Sequence, residues 1–182
     1  MAVILGIDPG SLKTGYGVVS MVGNKLTYLG SGCIKTGTTE DPLHERLLVI
    51  LEAISEIIDQ FKPDQMAVEQ TFVSKNPQST IKLSEARAVA LVTGAKAGIK
   101  VFEYTPTQIK QSLVGYGQAE KTQVQYMVKT LLKLSGNPQA DAADALACAI
   151  CHGYTHQVST LMKANIKNGS NLTNPMLQNY RV

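Results

Sequence analysis

The sequence has few cysteines, no long apolar segment and no recognisable export signal. Its 182 residues include three cysteines, an odd number that argues against a disulfide framework. No apolar run reaches the roughly 20 residues that span a bilayer. The first ten residues lack a basic region and lead directly into a predicted strand, which is not the pattern of a signal peptide. We therefore expect a cytoplasmic protein.

The composition is that of one folded, mildly basic domain. Hydrophobic residues make up 44% and charged residues 17%, and 17 basic against 14 acidic side chains give a net charge of +3. This balance is compatible with nucleic acid without requiring it. We predict one α/β domain over residues 1–157 and a polar, flexible C-terminal tail over residues 158–182, to which no function is assigned.

Apolar spacing predicts a βββαβαβα pattern followed by further helices. The predicted strands are residues 3–7, 15–19, 26–34, 66–69 and 101–104, of which the first three form an antiparallel meander. The predicted helices are residues 43–61, 79–97, 106–114, 120–134 and about 138–156, the last with Asn137 as its N-cap. Residues 71–78 are predicted to be a polar loop, and Gly98 to cap the second helix.

Four carboxylates stand where carboxylates are unfavourable. Asp8 and Glu69 each end an apolar strand, and Asp141 and Asp144 share one face of an Ala-rich helix. Semi-buried acids need a cation or a proton to compensate them. Brought together, the four would form an all-oxygen site suited to two Mg²⁺ ions, with Mn²⁺ as a substitute. Two such ions activate a water for in-line attack on a phosphodiester and stabilise the departing oxygen, so the pattern predicts a metal-dependent nuclease.

Each acid also has a simpler interpretation. Asp8 could simply start a tight turn, in which its side chain bonds a backbone N–H. Glu69 could simply be an exposed acid at the edge of the sheet. Asp141 alone would be stabilised by the helix dipole, with Asp144 in water. The nuclease hypothesis depends on all four acids occurring together, on three separate segments.

Other residues suggest weaker sites. The segment Cys148-Ala149-Ile150-Cys151-His152 has the haem-attachment spacing, and with His156 it is a conceivable zinc cluster, but an Ala-Leu helix favours packing. In the polar loop, Phe72 is placed to stack on an unpaired base, with Lys75 nearby, or to fold back on its own loop. Lys110 and Lys121 flank residues 115–117 and are placed to meet phosphates, although most lysines are solvated surface.

Several motifs together resemble the RuvC family of bacterial Holliday-junction resolvases. The matching segments are residues 6–10 (GIDPG), 14–17 (TGYG), 68–70 (VEQ), 75–76 (KN), 119–121 (AEK) and 140–146 (ADAADAL). The match extends over about residues 3–156. The resemblance implies a ribonuclease-H-like fold with a five-stranded mixed sheet flanked by helices.

The resemblance also implies roles for residues. Asp8, Glu69, Asp141 and Asp144 correspond to the family's metal-binding catalytic acids, all four without departure. Lys110 and Lys121 correspond to its catalytic, DNA-facing lysines, and Phe72 to an aromatic that contacts the junction. A Mg²⁺-dependent crossover junction endodeoxyribonuclease is implied, acting as a homodimer that makes paired symmetric nicks with 5′-phosphate and 3′-hydroxyl ends. Partnership with the RuvA–RuvB branch-migration complex is implied as well.

Three alternatives remain open at this point. The Asp-Pro-Gly turn before a Gly-rich strand is similar to the phosphate loop of actin/Hsp70-like ATPases, but those enclose ATP between two lobes and one 182-residue domain offers one. An RNA-processing nuclease similar to the YqgF family would share the fold. A junction-binding protein without catalysis would tolerate loss of Asp8.

Overall fold

The computed structural model describes residues 1–71 and 76–167, with side chains to residue 157. The strands are β1 (Ala2–Asp8), β2 (Lys13–Val22), β3 (Lys25–Lys35), β4 (Gln65–Glu69) and β5 (Lys100–Tyr104). The helices are α1 (Leu43–Phe61), α2 (Pro77–Lys96), α3 (Pro106–Val114), α4 (Lys121–Leu131) and α5 (Ala140–Lys167). Within these ranges, no helix combines the length and hydrophobicity needed to cross a bilayer.

The five strands form one mixed sheet in the order β3-β2-β1-β4-β5. β2 is antiparallel to both β1 and β3, whereas β4 lies parallel to β1 and to β5. This confirms the predicted antiparallel meander and the five-stranded mixed sheet. β1 is central and has helices on both faces, which explains its nearly continuous apolar sequence.

Two apolar clusters fill the space between the sheet and the helices. On one face, Leu5 and Ile7 of β1 pack with α1 and α2. On the other face, Ile4 packs with α3, α4 and the first half of α5. Because side chains alternate along a strand, Gly6 and Asp8 lie on the same face as Ile4, toward α5.

Two helix boundaries were predicted incorrectly because of local capping. α2 begins at Pro77 rather than residue 79, since the Asn76 side chain accepts hydrogen bonds from the backbone N–H groups of Gln78 and Ser79. α4 ends at Leu131 rather than residue 134, because Lys133 adopts a left-handed conformation with φ 53°. The N–H groups of residues 133 and 134 then bond back to carbonyls of the last turn, an arrangement usually made by glycine.

The predicted ends of the last helix were also wrong. α5 begins at Ala140 rather than Pro138, and the backbone N–H of Ala143 donates to the carbonyl of Gln139 just before the helix. It continues to Lys167 rather than ending near residue 156, and residues 154–167 contain no glycine or proline to stop it. The boundary predicted at residue 157 therefore falls inside a helix. Residues 168–182 of the predicted tail lie outside the described residues.

Three glycines let α5 approach the sheet closely. Gly6 and Gly17 are paired across β1 and β2, and Gly15 is paired with Asp8. A Cβ at Gly6 would lie within 3.0 Å of backbone atoms of α5, and one at Gly17 would lie 2.7 Å from Leu146. A Cβ at Gly15 would collide with the carbonyl of Asp141. The missing side chains thus set the height of α5 above the sheet.

We expect Gly6→Ala to destabilise the fold by about 1–3 kcal/mol, because the added methyl must displace the backbone of α5. The change should appear as a lower midpoint in urea denaturation. Gly136→Ala is the matched control, since no atom lies within 4 Å of a Cβ there, and it should change stability by less than about 0.5 kcal/mol. Equal midpoints for the two variants would contradict the close-approach argument.

Candidate active site

Asp8 and Glu69 end two neighbouring parallel strands at one edge of the sheet. The register pairs Ile7 with Val68, so the two acids occupy the next position on each strand. Both point toward α5, as the alternation of side chains requires. Strand ends of this kind form the crevice where open α/β sheets bind ligands. Both side chains are half-buried.

Asp141 and Asp144 reach the same edge from above, on the first turns of α5. The Asp141 carbonyl lies over Gly15, the residue paired with Asp8. The charges of both acids act on Asp8, which places them close to it. The structure therefore brings together the four acids predicted from the sequence. As placed, no three His, Cys, Asp or Glu side chains among the described residues converge closely enough to hold a metal ion.

The crowded acids are poorly solvated. Burial, followed by the charges of Asp144 and Asp141, raises the pKa of Asp8 from 3.8 to about 7. Burial, followed by the charges of Asp8 and Asp144, raises the pKa of Glu69 from 4.5 to about 8. Nearby lysines oppose both shifts without cancelling them. The fold thus disfavours full ionisation of both carboxyl groups at this edge.

Lys121 and Lys110 border the cleft beside these acids. The Lys121 Nζ lies 2.6 Å from Asp144 Oδ2, and this hydrogen bond raises the pKa of Lys121. Burial still raises the pKa of Asp144, because desolvation outweighs the attraction of the lysine. The residues lining the cleft are Glu69, Pro106, Ile109, Lys110, Lys121, Val124, Asp144 and Ala147.

Comparison with known proteins identifies the family. Residues 4–152 match the family described as "Crossover junction endodeoxyribonuclease RuvC". The chain belongs to the RuvC family. The RuvC of Cronobacter sakazakii is 57% identical over 160 residues, 88% of this chain and 91% of the relative. The RuvC of Pseudoalteromonas translucida is 57% identical over 157 residues, 86% of this chain and 89% of the relative.

Solved structures of resolvases have the same fold as this chain. Thermus thermophilus RuvC in complex with a Holliday junction substrate superposes with a TM-score of 0.82 at 34% identity, covering 88% of this chain and 98% of that one. The yeast mitochondrial Holliday junction resolvase Ydc2 has a TM-score of 0.64 at 12% identity, covering 91% and 85%, and shows the fold alone. Membership in the RuvC family confirms the predicted ribonuclease-H-like fold and the endonuclease class. The matches favour neither an ATPase nor an RNA-processing nuclease.

One contact in this RuvC-family site was not predicted. Cys33 of β3 places its Sγ 3.5 Å from Asp141 Oδ2. Burial and the hydrogen bond to Asp141 raise the pKa of the thiol, which favours the protonated, donating form. The residues are 108 positions apart, so no local sequence pattern signals the contact. Only the pairing of β3 with β2 could have indicated it.

Two predicted DNA-contacting residues, Phe72 and Lys75, lie outside the described residues. Their assignments remain predictions. Glu69 and Gln70 come shortly before them, so the loop leaves the sheet at the edge where the acids lie.

The cysteines of the haem-like motif lie in the apolar core. Cys148 and Cys151 are 0% and 1% exposed within the cluster between the sheet and α3–α5. His152 is held between Tyr104, whose hydroxyl lies 2.7 Å from Nδ1, and Gln65, whose Oε1 lies 2.8 Å from Nε2. Burial lowers the pKa of His152 to about 4, so its ring is neutral and both nitrogens are engaged. These residues serve the packing of α5.

Without divalent cations, the free energy of unfolding should fall as pH rises. The pKa values of Asp8 and Glu69, about 7 and 8 in the fold, exceed their ordinary values of 3.8 and 4.5. The folded state therefore holds more protons than the unfolded state, and this contribution is lost between about pH 4 and 8. The melting temperature in EDTA should drop across this range, and Mg²⁺ should lessen the drop.

Asp8→Asn provides the test of that assignment, because it removes one of the two titrating groups and should flatten the pH profile in EDTA. Glu56→Gln, an exposed acid on α1, is the matched control and should keep the wild-type slope. A profile for Asp8→Asn as steep as wild type would contradict the prediction.

Proposed function

We propose that the protein is a divalent-metal-dependent endonuclease that resolves four-way (Holliday) DNA junctions. It would do so by hydrolysing one phosphodiester bond in each of two opposite strands. The observation that carries the proposal is the meeting of four acids at one sheet edge beside two lysines, in a RuvC-family chain. The relative with the TM-score of 0.82 was solved in complex with a Holliday junction substrate. Its 34% identity and near-complete coverage support the same substrate class here.

The donor set suits hard divalent cations. All four side chains are carboxylates, the ligand type that Mg²⁺ and Mn²⁺ prefer. The raised pKa values of Asp8 and Glu69 reflect burial first and the charges of neighbouring acids second, and the nearby lysines do not offset these effects. A divalent cation would neutralise the ionised carboxylates. The two ions would be held by the four acids, Asp8, Glu69, Asp141 and Asp144. To hold them, these side chains would have to move inward from their present positions.

Bound cations would supply the positive charge that activates an attacking water and stabilises the departing 3′ oxygen. The chain itself positions the DNA. Lys110 and Lys121 line the same cleft as Glu69 and Asp144 and would bind phosphates of the cleaved strand. Lys121 also holds the Asp144 carboxylate through its 2.6 Å contact. Hydrolysis leaves a 5′-phosphate and a 3′-hydroxyl, which a ligase can rejoin.

The two-fold symmetry of a four-way junction explains the proposed quaternary state. Two copies of this chain related by a two-fold axis would present two equivalent sites to opposite strands. The nicks would then be symmetric and paired. The family resemblance further supports action together with the RuvA–RuvB branch-migration complex, in recombination and DNA repair.

Phe72 and Lys75 are assigned to junction contacts. They follow Glu69 by three and six residues, so their loop begins beside the catalytic edge. An aromatic there would stack on a base unpaired at the branch point, worth about 1–3 kcal/mol. Lys75 would bind a neighbouring phosphate.

We expect wild-type protein in Mg²⁺ to make paired symmetric nicks in a synthetic four-way junction and to leave a linear duplex of the same sequence intact. Asp144→Asn should lose cleavage by a factor of about 10³ or more while still binding the junction, because a cation ligand is lost. Denaturing gels with each strand end-labelled give the nick positions, and gel shifts in Ca²⁺ give binding.

The same assay separates the alternatives. Equal cutting of junction and duplex would reject structure specificity. Preferential cutting of a matched RNA substrate would favour the RNA-processing nuclease. Junction binding without cleavage, unchanged in Asp8→Asn, would indicate a non-catalytic binder.

The two lysines are expected to contribute to the cleavage step. Lys110→Ala and Lys121→Ala should each lower the single-turnover rate at saturating metal by about 100-fold, because each removes a fixed positive charge from the cleft. Lys96→Ala, an exposed lysine at the far end of α2, is the matched control and should cleave at the wild-type rate. Similar rates for all three variants would remove the lysines from the mechanism.

A further inference from the structure

Gly15 and Cys33 lie side by side under the first turn of α5. The register of β2 and β3 pairs them directly. Asp141 meets both residues, with its carbonyl over Gly15 and its Oδ2 3.5 Å from the Cys33 Sγ. The two contacts hold different parts of Asp141, the backbone and the carboxylate.

The Cys33 contact has the geometry of a sulfur hydrogen bond. Thiols are weak donors with a single proton, and an ionised carboxylate accepts without donating, so the direction of the bond is fixed. The bond occupies one lone pair of Oδ2 and limits rotation of the carboxylate about its Cβ–Cγ bond. Carboxylates and imidazoles that bind metals are commonly oriented by such partners, which do not touch the metal themselves.

We propose that the Gly15–Cys33 pair is the positioning element for Asp141, in which Gly15 sets the height of its backbone and Cys33 restricts the rotation of its carboxylate, so that less ordering is needed when a cation binds. This inference rests on the proposed function, in which Asp141 is a cation ligand. Cys33 acts through Asp141 and is a positioning residue. A direct role as a ligand is disfavoured, because thiolates select soft metals whereas an all-carboxylate site selects Mg²⁺ and Mn²⁺.

A purely structural role for Cys33 makes a different prediction. If the side chain only fills space, its loss should lower the melting temperature and leave cation affinity unchanged. If it orients Asp141, its loss should weaken cation binding, and a hydroxyl in its place should restore most of the affinity. Cation affinity is therefore the deciding readout.

The experiment compares Cys33→Ala, Cys33→Ser and Ser31→Ala. Ser31 lies two residues earlier on the same face of β3 and makes a side-chain hydrogen bond with Tyr28, 3.1 Å long, away from Asp141. Mn²⁺ binding to the DNA-free protein is measured by electron paramagnetic resonance of the free ion. The metal dependence of single-turnover junction cleavage and the melting temperature in EDTA are measured in parallel.

We expect Cys33→Ala to weaken Mn²⁺ binding by about tenfold, at the lower end of the range for residues that orient ligands, because a thiol is a weak donor. Its cleavage rate at saturating metal should stay near wild type. Cys33→Ser should recover most of the affinity, and Ser31→Ala should match wild type. Gly15→Ala is a poorer variant, because its Cβ would collide with the Asp141 carbonyl and disturb the fold.

Equal Mn²⁺ affinity in Cys33→Ala and wild type would overturn the inference, as would a loss that Cys33→Ser does not reduce. Asp141→Asn serves as the reference, and unchanged Mn²⁺ binding in that variant would overturn it too, since Asp141 would not be a ligand. The proposed function fails separately. If wild type does not cut junctions while Cys33→Ala still weakens Mn²⁺ binding, the positioning role stands and the junction assignment falls.

Discussion

The close docking of α5 onto β1 and β2 is the contact on which the rest of the site depends. Ordinary side chains would hold a helix farther from the sheet, but Gly6, Gly15 and Gly17 offer none on that face. The first turn of α5 therefore rests on the backbone of β2. This docking brings Asp141 and Asp144 close enough for their charges to act on Asp8, which lies at least 133 residues earlier in the chain. No side-chain interaction within the site could bring about this approach by itself.

The docking also creates the electrostatic problem that defines the site. Four half-buried carboxylates repel one another where water screens them poorly, and Lys121 balances only part of their charge. The unfavourable arrangement persists because apolar contacts on both faces of the sheet hold the elements in place. An unfavourable local arrangement of this kind persists only where the surrounding structure holds it in place. Cations are then the natural complement of a charge that the fold itself leaves uncompensated.

The sequence allowed prediction of features that have a local or periodic cause. Apolar runs predicted all five strands, and the position of Asp8 and Glu69 at strand ends predicted their meeting at one edge. Features that depend on contacts with distant parts of the fold could not be predicted from the sequence. Lys133 adopts a left-handed conformation that glycine usually adopts, and α5 begins at Ala140 rather than at the Asn137-Pro138 pair. The contact between Cys33 and Asp141 required the β2–β3 register, which residue spacing does not contain.

Stability and catalysis share residues here, yet the two can be separated. Gly6 and Gly17 contact parts of α5 beyond the acids, so substitutions there act first on the docking of the whole helix. Cys33 touches only the carboxylate of Asp141 among the four acids, according to the hydrogen bonds of the described residues. Its contact therefore bears on the orientation of one carboxylate and not on the distance between helix and sheet. The glycines set the distance between α5 and the sheet, and the weak Cys33 donor contacts a single carboxylate. Few specific interactions are therefore needed to assemble a site of four carboxylates.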